Sequence, residues 1–127
     1  MNRSPFINFI QANIPNVPID EQSLQTIADQ FEEKIFQKDD YLLKEGRISD
    51  YFFLAEGFIR VFTFDTEGNE VTTCFFSPNR VVFDAASFFL KLPSHENMQA
   101  MTRCVVYATS FEERYLKFIE VNKEVFQ

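Results

Sequence analysis

Few residues in this chain have both the type and the spacing to do chemistry. The one histidine, His95, stands in a polar turn between Ser94 and Glu96. A metal-dependent β-roll enzyme takes about two or three histidines with a carboxylate, so the ligand count excludes that class. His95 reads instead as a solvated loop residue. A serine or cysteine nucleophile needs a base such as histidine, and no nucleophile elbow surrounds Ser77, Ser87 or Cys74. The carboxylates Asp65, Glu67 and Glu70 surround a hairpin tip, where they serve a turn and solubility rather than acid–base catalysis. Cys74 and Cys104 do not form a Cys-x-x-Cys pair, and each sits in a strand-like run. They are predicted to be buried free thiols, and two thiols fall short of the roughly four that an all-cysteine iron–sulfur site takes. Asp84 followed by Ala85, Ala86 and Ser87 remains. This reads as a short capped helix whose N–H groups could face an anion, except that the Asp84 carboxylate would take that place itself. The chain is expected not to be an enzyme.

Composition narrows the partners. The chain has 127 residues, among them 17 Phe and no Trp, and is expected to be one domain with a core large enough to need no disulfide or metal. Its formal net charge is −7, and its 12 Lys and Arg are scattered without a cluster. A nucleic-acid interface needs a basic patch to neutralise phosphates. DNA contact by this chain, and adsorption to an anionic membrane, are therefore disfavoured. No segment reaches the ~20 apolar residues of a membrane span, and Asn8, Gln11 and Asn13 interrupt any signal-peptide core. The expected location is the cytoplasm, with no cofactor or metal.

The elements that must position Asp84 can be read from punctuation. Ser4-Pro5 opens a first helix with Phe6, Phe9 and Ile10 on one face. Asp20 caps a second, Glu21 to about Glu33, with Leu24, Ile27, Ala28 and Phe31 apolar together. The runs Glu32-Glu33-Lys34 and Glu112-Glu113-Arg114 read as solvated helix faces. After Lys34 the pattern turns to β. Strands are expected at Ile35-Phe36, Tyr41 to Leu43, Tyr51 to Ala55, Phe58 to Phe64, Glu70 to Phe76, Val81 to Phe83, Asn97 to Met101 and Cys104 to Phe111. Gly46, Gly57 and Gly68, the chain's three glycines, each sit where a strand must turn. Asp65 to Asn69 reads as a hairpin with Gly68 left-handed. Phe52-Phe53, Phe75-Phe76 and Phe88-Phe89 are expected in the core, with one of each pair free to face a partner. Ser110 would cap a final helix with Tyr115, Leu116 and Ile119 on one face. The layout is mainly β with flanking helices: N-terminal helices over about 1–33, a β-roll over about 34–111, and the start of a C-terminal helix over about 112–127. Short strands with turns at such intervals make a double-stranded β-helix, or jelly roll.

At this point the residues resemble a known family. Leu42-Leu43-Lys44-Glu45-Gly46, followed by Tyr51-Phe52-Phe53-Leu54-Ala55-Glu56-Gly57, is similar to the cyclic-nucleotide-binding signature. Asp65 to Glu70 resembles the hairpin that follows it. Ala85-Ala86-Ser87-Phe88 and Ser94 to Met101 resemble the corresponding region of the Crp/Fnr superfamily of bacterial transcription regulators. The resemblance implies a cyclic-nucleotide-binding-domain-like sensor, a dimerisation helix after it, and a C-terminal helix-turn-helix. On that basis the full-length protein would be a homodimer responding to a small-molecule effector. DNA would be bound only through a domain absent from this chain. The signal would pass from the pocket floor, Phe83 to Phe89, through a hinge after Phe111. The resemblance also places a phosphate-binding cassette at Phe83, Asp84, Ala85, Ala86, Ser87, Ser94, Asn97 and Gln99. In the family a Gly-Glu pair opens the cassette helix and an Arg pairs with the cyclic phosphate. Here the Gly-Glu position falls at about Asp84-Ala85 and the Arg position near Ser94, Glu96 or Asn97, so Gly, Glu and Arg are all missing. A buried phosphate without a counter-charge is costly. Orthodox binding of cAMP or cGMP is not expected. The alternative function is a degenerate β-roll acting as an interaction or dimerisation module.

Overall fold

Eight strands pair into two antiparallel four-stranded sheets. A computed structural model describes residues 31–109 continuously, together with Ile7, Asn8, Gln22 and Asp29. Those four residues are helical, within the segments where the first two helices are expected. The remainder of those segments, the helix expected after Ser110, the hinge after Phe111 and the Glu112-Glu113-Arg114 run lie outside the described residues. The strands are β1 (Glu32–Phe36), β2 (Tyr41–Leu43), β3 (Tyr51–Glu56), β4 (Ile59–Phe64), β5 (Glu70–Phe76), β6 (Arg80–Val82), β7 (Asn97–Ala100) and β8 (Cys104–Thr109). One short helix, α1 (Ala85–Leu90), lies between β6 and β7. The sheet orders are β1-β8-β3-β6 and β2-β7-β4-β5.

The space between the sheets is filled by one apolar cluster. Leu43, Phe52, Leu54, Ile59, Val61, Val82, Met98, Ala100, Cys104, Val106 and Ala108 are buried in it, with Phe36, Leu42 and Phe76 packed against it. Phe52, Leu54, Val106 and Ala108 alternate along β3 and β8 with Phe53 and Tyr107, which are buried as well. Both faces of these two central strands are thus covered, as their near-continuous apolar runs require. Burial of this kind supplies the main driving force for folding, at about 25 cal/mol per Å² of apolar surface.

Turn chemistry closes the roll. At the β4–β5 hairpin the Asp65 carboxylate accepts from the backbone N–H groups of Glu67 and Asn69, at 2.9 and 2.8 Å. These bonds hold its acid strength above that of an ordinary carboxylic acid, so its pKa is lowered. Gly68 takes the left-handed φ of +84° predicted there. Gly57, also left-handed at +96°, has a second constraint: a Cβ would collide with the carbonyl of Arg103 and would lie 2.7 Å from Cys104 Sγ. Only glycine lets β8 enter so close to the β3–β4 corner.

Two expectations need correction. The β region begins at Glu32, because Glu32, Glu33 and Lys34 pair with Ala108, Tyr107 and Val106 of β8. Pairing beside a buried strand outweighs the helix preference of Glu and Lys, so this run is not a helix face. Cys104 is buried but Cys74 is exposed, since β5 is an edge strand in its sheet. The Phe pairs divide as well. Phe52 and Phe53 are both buried, Phe88 is buried beside Phe89 at 47% exposure, and Phe75 reaches 63%. On β5 an extra residue, Thr73, stands between the pairs Val61–Cys74 and Phe62–Thr72, and its hydroxyl donates to the Val61 carbonyl at 3.2 Å. Such a bulge interrupts an edge that would otherwise offer a long open ladder.

Candidate functional site

Asp84 organises the site from the end of β6. It is the N-cap of α1, in extended conformation with φ −90° and ψ 104°. Its Oδ1 accepts from the Ser87 N–H at 3.2 Å, the bond expected of a capping aspartate. Its Oδ2 accepts from the Ser94 hydroxyl at 2.6 Å, a short charge-assisted bond. The Asp84 N–H in turn donates to Ser49 Oγ at 3.1 Å. Asp84 therefore binds both segments that flank α1.

Three buried serines complete a continuous network. Ser49, Ser87 and Ser94 are exposed by 1%, 2% and 2%. The Ser49 hydroxyl donates to the Asp50 carbonyl at 2.7 Å. Ser87 Oγ accepts from the Ser49 N–H at 2.8 Å and donates to the Leu92 carbonyl at 2.6 Å. Ser94 Oγ accepts from the Glu96 N–H at 3.0 Å. The backbone of Ser94 adds two bonds to the loop after β2, donating to Arg47 O and accepting from Gly46 N. Each hydroxyl both donates and accepts, which removes the penalty of burying it. The helix ends at Lys91, left-handed at φ 55°, whose N–H donates to the Ser87 carbonyl.

Two carboxylates meet at this corner. Glu96 lies part-buried beside Asp84, and its carboxyl pKa is raised, first by burial and then by the Asp84 charge. No arginine stands between Arg80 and Arg103 in the sequence. Among the described residues no group of three or more His, Cys, Asp or Glu side chains is arranged to hold a metal ion.

The eight candidate residues do not form one site. Asp84, Ser87 and Ser94 meet in the network just described. Phe83 is half-buried in an aromatic cluster, its ring centroid 4.8 Å from Tyr51, 5.6 Å from Phe88 and 6.0 Å from Phe89; Ala85 and Ala86 are exposed on the first turn of α1. Asn97 holds the β2 side instead. Its Oδ1 accepts from the Glu45 N–H at 2.9 Å and its Nδ2 donates to the Phe62 carbonyl at 3.5 Å. Gln99 belongs to a separate cluster. Its Oε1 accepts from Arg60 Nε at 3.0 Å and Nη2 at 2.8 Å, while its Nε2 donates to the Asp39 carbonyl.

Two participants were not legible beforehand. Ser49 carries no motif, since only the fold brings it against α1. Arg60 lies directly across from Gln99 in the β4–β7 pairing. Its guanidinium stacks 4.1 Å from the centroid of the Phe62 ring and forms a 3.0 Å salt bridge to Glu70. The cation is thus occupied on its own sheet, away from the bonds that Asp84 makes.

Comparisons with known proteins agree with this architecture. No curated protein matches the chain in sequence. The catabolite activator protein of Thermus thermophilus superposes with a TM-score of 0.74 at 17% identity, over 84% of this chain and 50% of that one. The sensor domain of the transcriptional regulator DNR from Pseudomonas aeruginosa gives 0.74 at 16% identity, over 98% and 84%. A mutant regulatory subunit of a cAMP-independent protein kinase A from Trypanosoma brucei, bound to cAMP in its A site, gives 0.69 at 25% identity, over 98% and 47%. The chain thus spans half the length of the Thermus protein. The cyclic nucleotide-binding domain family matches residues 33–118. By that match, and by two antiparallel sheets closed around one apolar core, the chain belongs to the cyclic nucleotide-binding domain family.

Proposed function

We propose that this chain is the effector-sensing domain of a Crp/Fnr-type transcription regulator, and that it does not take cAMP or cGMP in the orthodox way. The observation that carries the second half is the 2.6 Å bond from Ser94 to Asp84. Near the place where a phosphate's arginine is expected, this chain has a hydroxyl already given to an internal carboxylate. An incoming cyclic phosphate would meet the carboxylates of Asp84 and Glu96, an unfavourable arrangement in a partly buried site. The Thermus activator and the Pseudomonas sensor domain support the regulator reading through their shared fold. The trypanosomal subunit belongs to a kinase that is cAMP-independent, yet its mutant holds cAMP in the A site, so the fold alone does not decide cAMP use.

In this reading the domain senses and does not catalyse. A small effector acts at the Phe83 to Phe89 floor, and the signal passes beyond residue 111 to a dimerisation helix and a separate DNA-binding domain. The acidic balance of the chain, −7, suits a sensor that leaves DNA contact to that other domain. The expected setting is the cytoplasm; no helix among the described residues is long and apolar enough to cross a membrane. A second reading, an interaction module without an effector, is favoured by one observation. Ile48, Phe89, Leu90 and Leu92, on α1 and the loops beside it, are 50%, 47%, 66% and 52% exposed.

Calorimetric titration with cAMP and cGMP tests the site; no saturable heat is expected, and saturable binding of either would overturn the reading. The reading frame of the gene tests the rest. Continuation past Gln127 into a basic helix-turn-helix is expected, and a stop codon there would favour the interaction module.

A further inference from the structure

We propose that the serine network is a latch: α1, the loop of residues 44–50 and the loop of residues 91–96 open together as one cooperative unit, held shut by the Ser94–Asp84 bond. Ser49 joins the first loop to α1 in two directions, accepting from Asp84 N and donating its own N–H to Ser87 Oγ. Ser87 and Lys91 tie the end of α1 to the second loop. Ser94 joins that second loop back to both, through Arg47 O, Gly46 N and Asp84 Oδ2. The result is a closed ring of bonds in which every buried hydroxyl depends on its neighbour. Removing one partner strands others in the interior, so the ring is lost as a whole rather than bond by bond. Its apolar support is uneven: Phe88 is fully buried, but Phe89, Leu90 and Leu92 on the same short segment are largely exposed. Exposed apolar side chains around one buried anchor, Phe88, and a shared polar clasp are the marks of a region that opens below the global unfolding threshold.

Use of the latch as a switch rests on the sensor reading above; the cooperative opening does not. Native-state hydrogen exchange on the 127-residue chain measures it directly. Two variants break the same bond from opposite sides. Asp84→Asn keeps an oxygen to cap Ser87 but can turn only an amide toward Ser94, and Ser94→Ala removes the donor. Each is expected to speed exchange about tenfold at Gly46, Ser49, Asp84, Ser87, Ser94 and Glu96 together, with these six amides sharing one opening free energy that lies below that of the β3 and β8 amides. The double variant is expected to be no faster than Ser94→Ala alone, since that variant already removes both the bond to Asp84 and the acceptor of the Glu96 N–H. Acceleration confined to residues 94–96, or unchanged rates in both variants, would refute the latch. So would an opening free energy for these six amides equal to that of β3 and β8, because the bond would then report global stability alone. A latch confirmed without any effector response would leave the opening in place and remove only its use in sensing.

Discussion

Two polar clusters in this molecule hold a charge in opposite ways. Around Asp84 a carboxylate is surrounded by hydroxyls and N–H groups, with a second carboxylate, Glu96, nearby and no arginine within the cassette stretch. On the other sheet Arg60 is stacked on Phe62, doubly bonded to Gln99 and bridged to Glu70. The chain therefore has an ordered arginine and a candidate anion corner, and the fold keeps them apart. A binding preference follows from where a charge is fixed and what already engages it, rather than from its presence in the sequence.

The contrast can be broken first at its negative end. Asp84→Ala removes the cap of α1 and leaves the Ser94 hydroxyl buried without an acceptor. A loss of about 2–3 kcal/mol is expected in urea unfolding. Arg60→Ala is expected to cost less, about 1–2 kcal/mol, because Gln99 and Glu70 remain partly open to water. Arg60→Lys should recover little of it, since an ammonium can neither stack flat on Phe62 nor offer two donors to Gln99. The smallest effect is sought at Glu96. Its raised pKa means that the folded chain holds this proton more tightly than the unfolded chain. The associated stability is fully present below the unfolded-state pKa and is lost as pH rises through the folded-state value. Glu96→Gln is therefore expected to raise stability slightly at neutral pH and to flatten its decline over that window. A variant less stable than the parent at neutral pH would show that the Glu96 charge has a stabilising partner.

Most of the fold was written in local chemistry. The eight strands, the Asp65 hairpin, the Asp84 cap and the three glycine corners each follow from residues adjacent in sequence, and each stands where it was expected. The start of β1 did not, because Glu32 to Lys34 take their conformation from β8, where Glu32 pairs with Ala108, distant in sequence. The exposure of Cys74 escaped for a related reason: the sequence of β5 has the composition of a strand but nothing that marks it as an edge. At the site Asp84 and Ser87 were found by capping logic, which is local. Their links to Ser49 and Ser94 span 35 and 10 positions, and only the fold creates them. The resemblance put Gln99 in the same place as Asn97, but it sits across from an arginine that no motif points to.

The close approach at Gly57 carries over to the behaviour of sulfur in this protein. Cys104 Sγ lies 3.3 Å from the Phe58 carbonyl and 3.4 Å from that of Thr102, and burial raises its pKa. A Cβ on Gly57 would already stand 2.7 Å from it. An oxygen atom added to this sulfur would find the same backbone in its way, and the thiolate that peroxide attacks is disfavoured there. Oxidants in solution accordingly meet Cys74 on the open edge of its sheet first, and the thiol at the β3–β4 corner stays chemically silent for as long as the roll is folded.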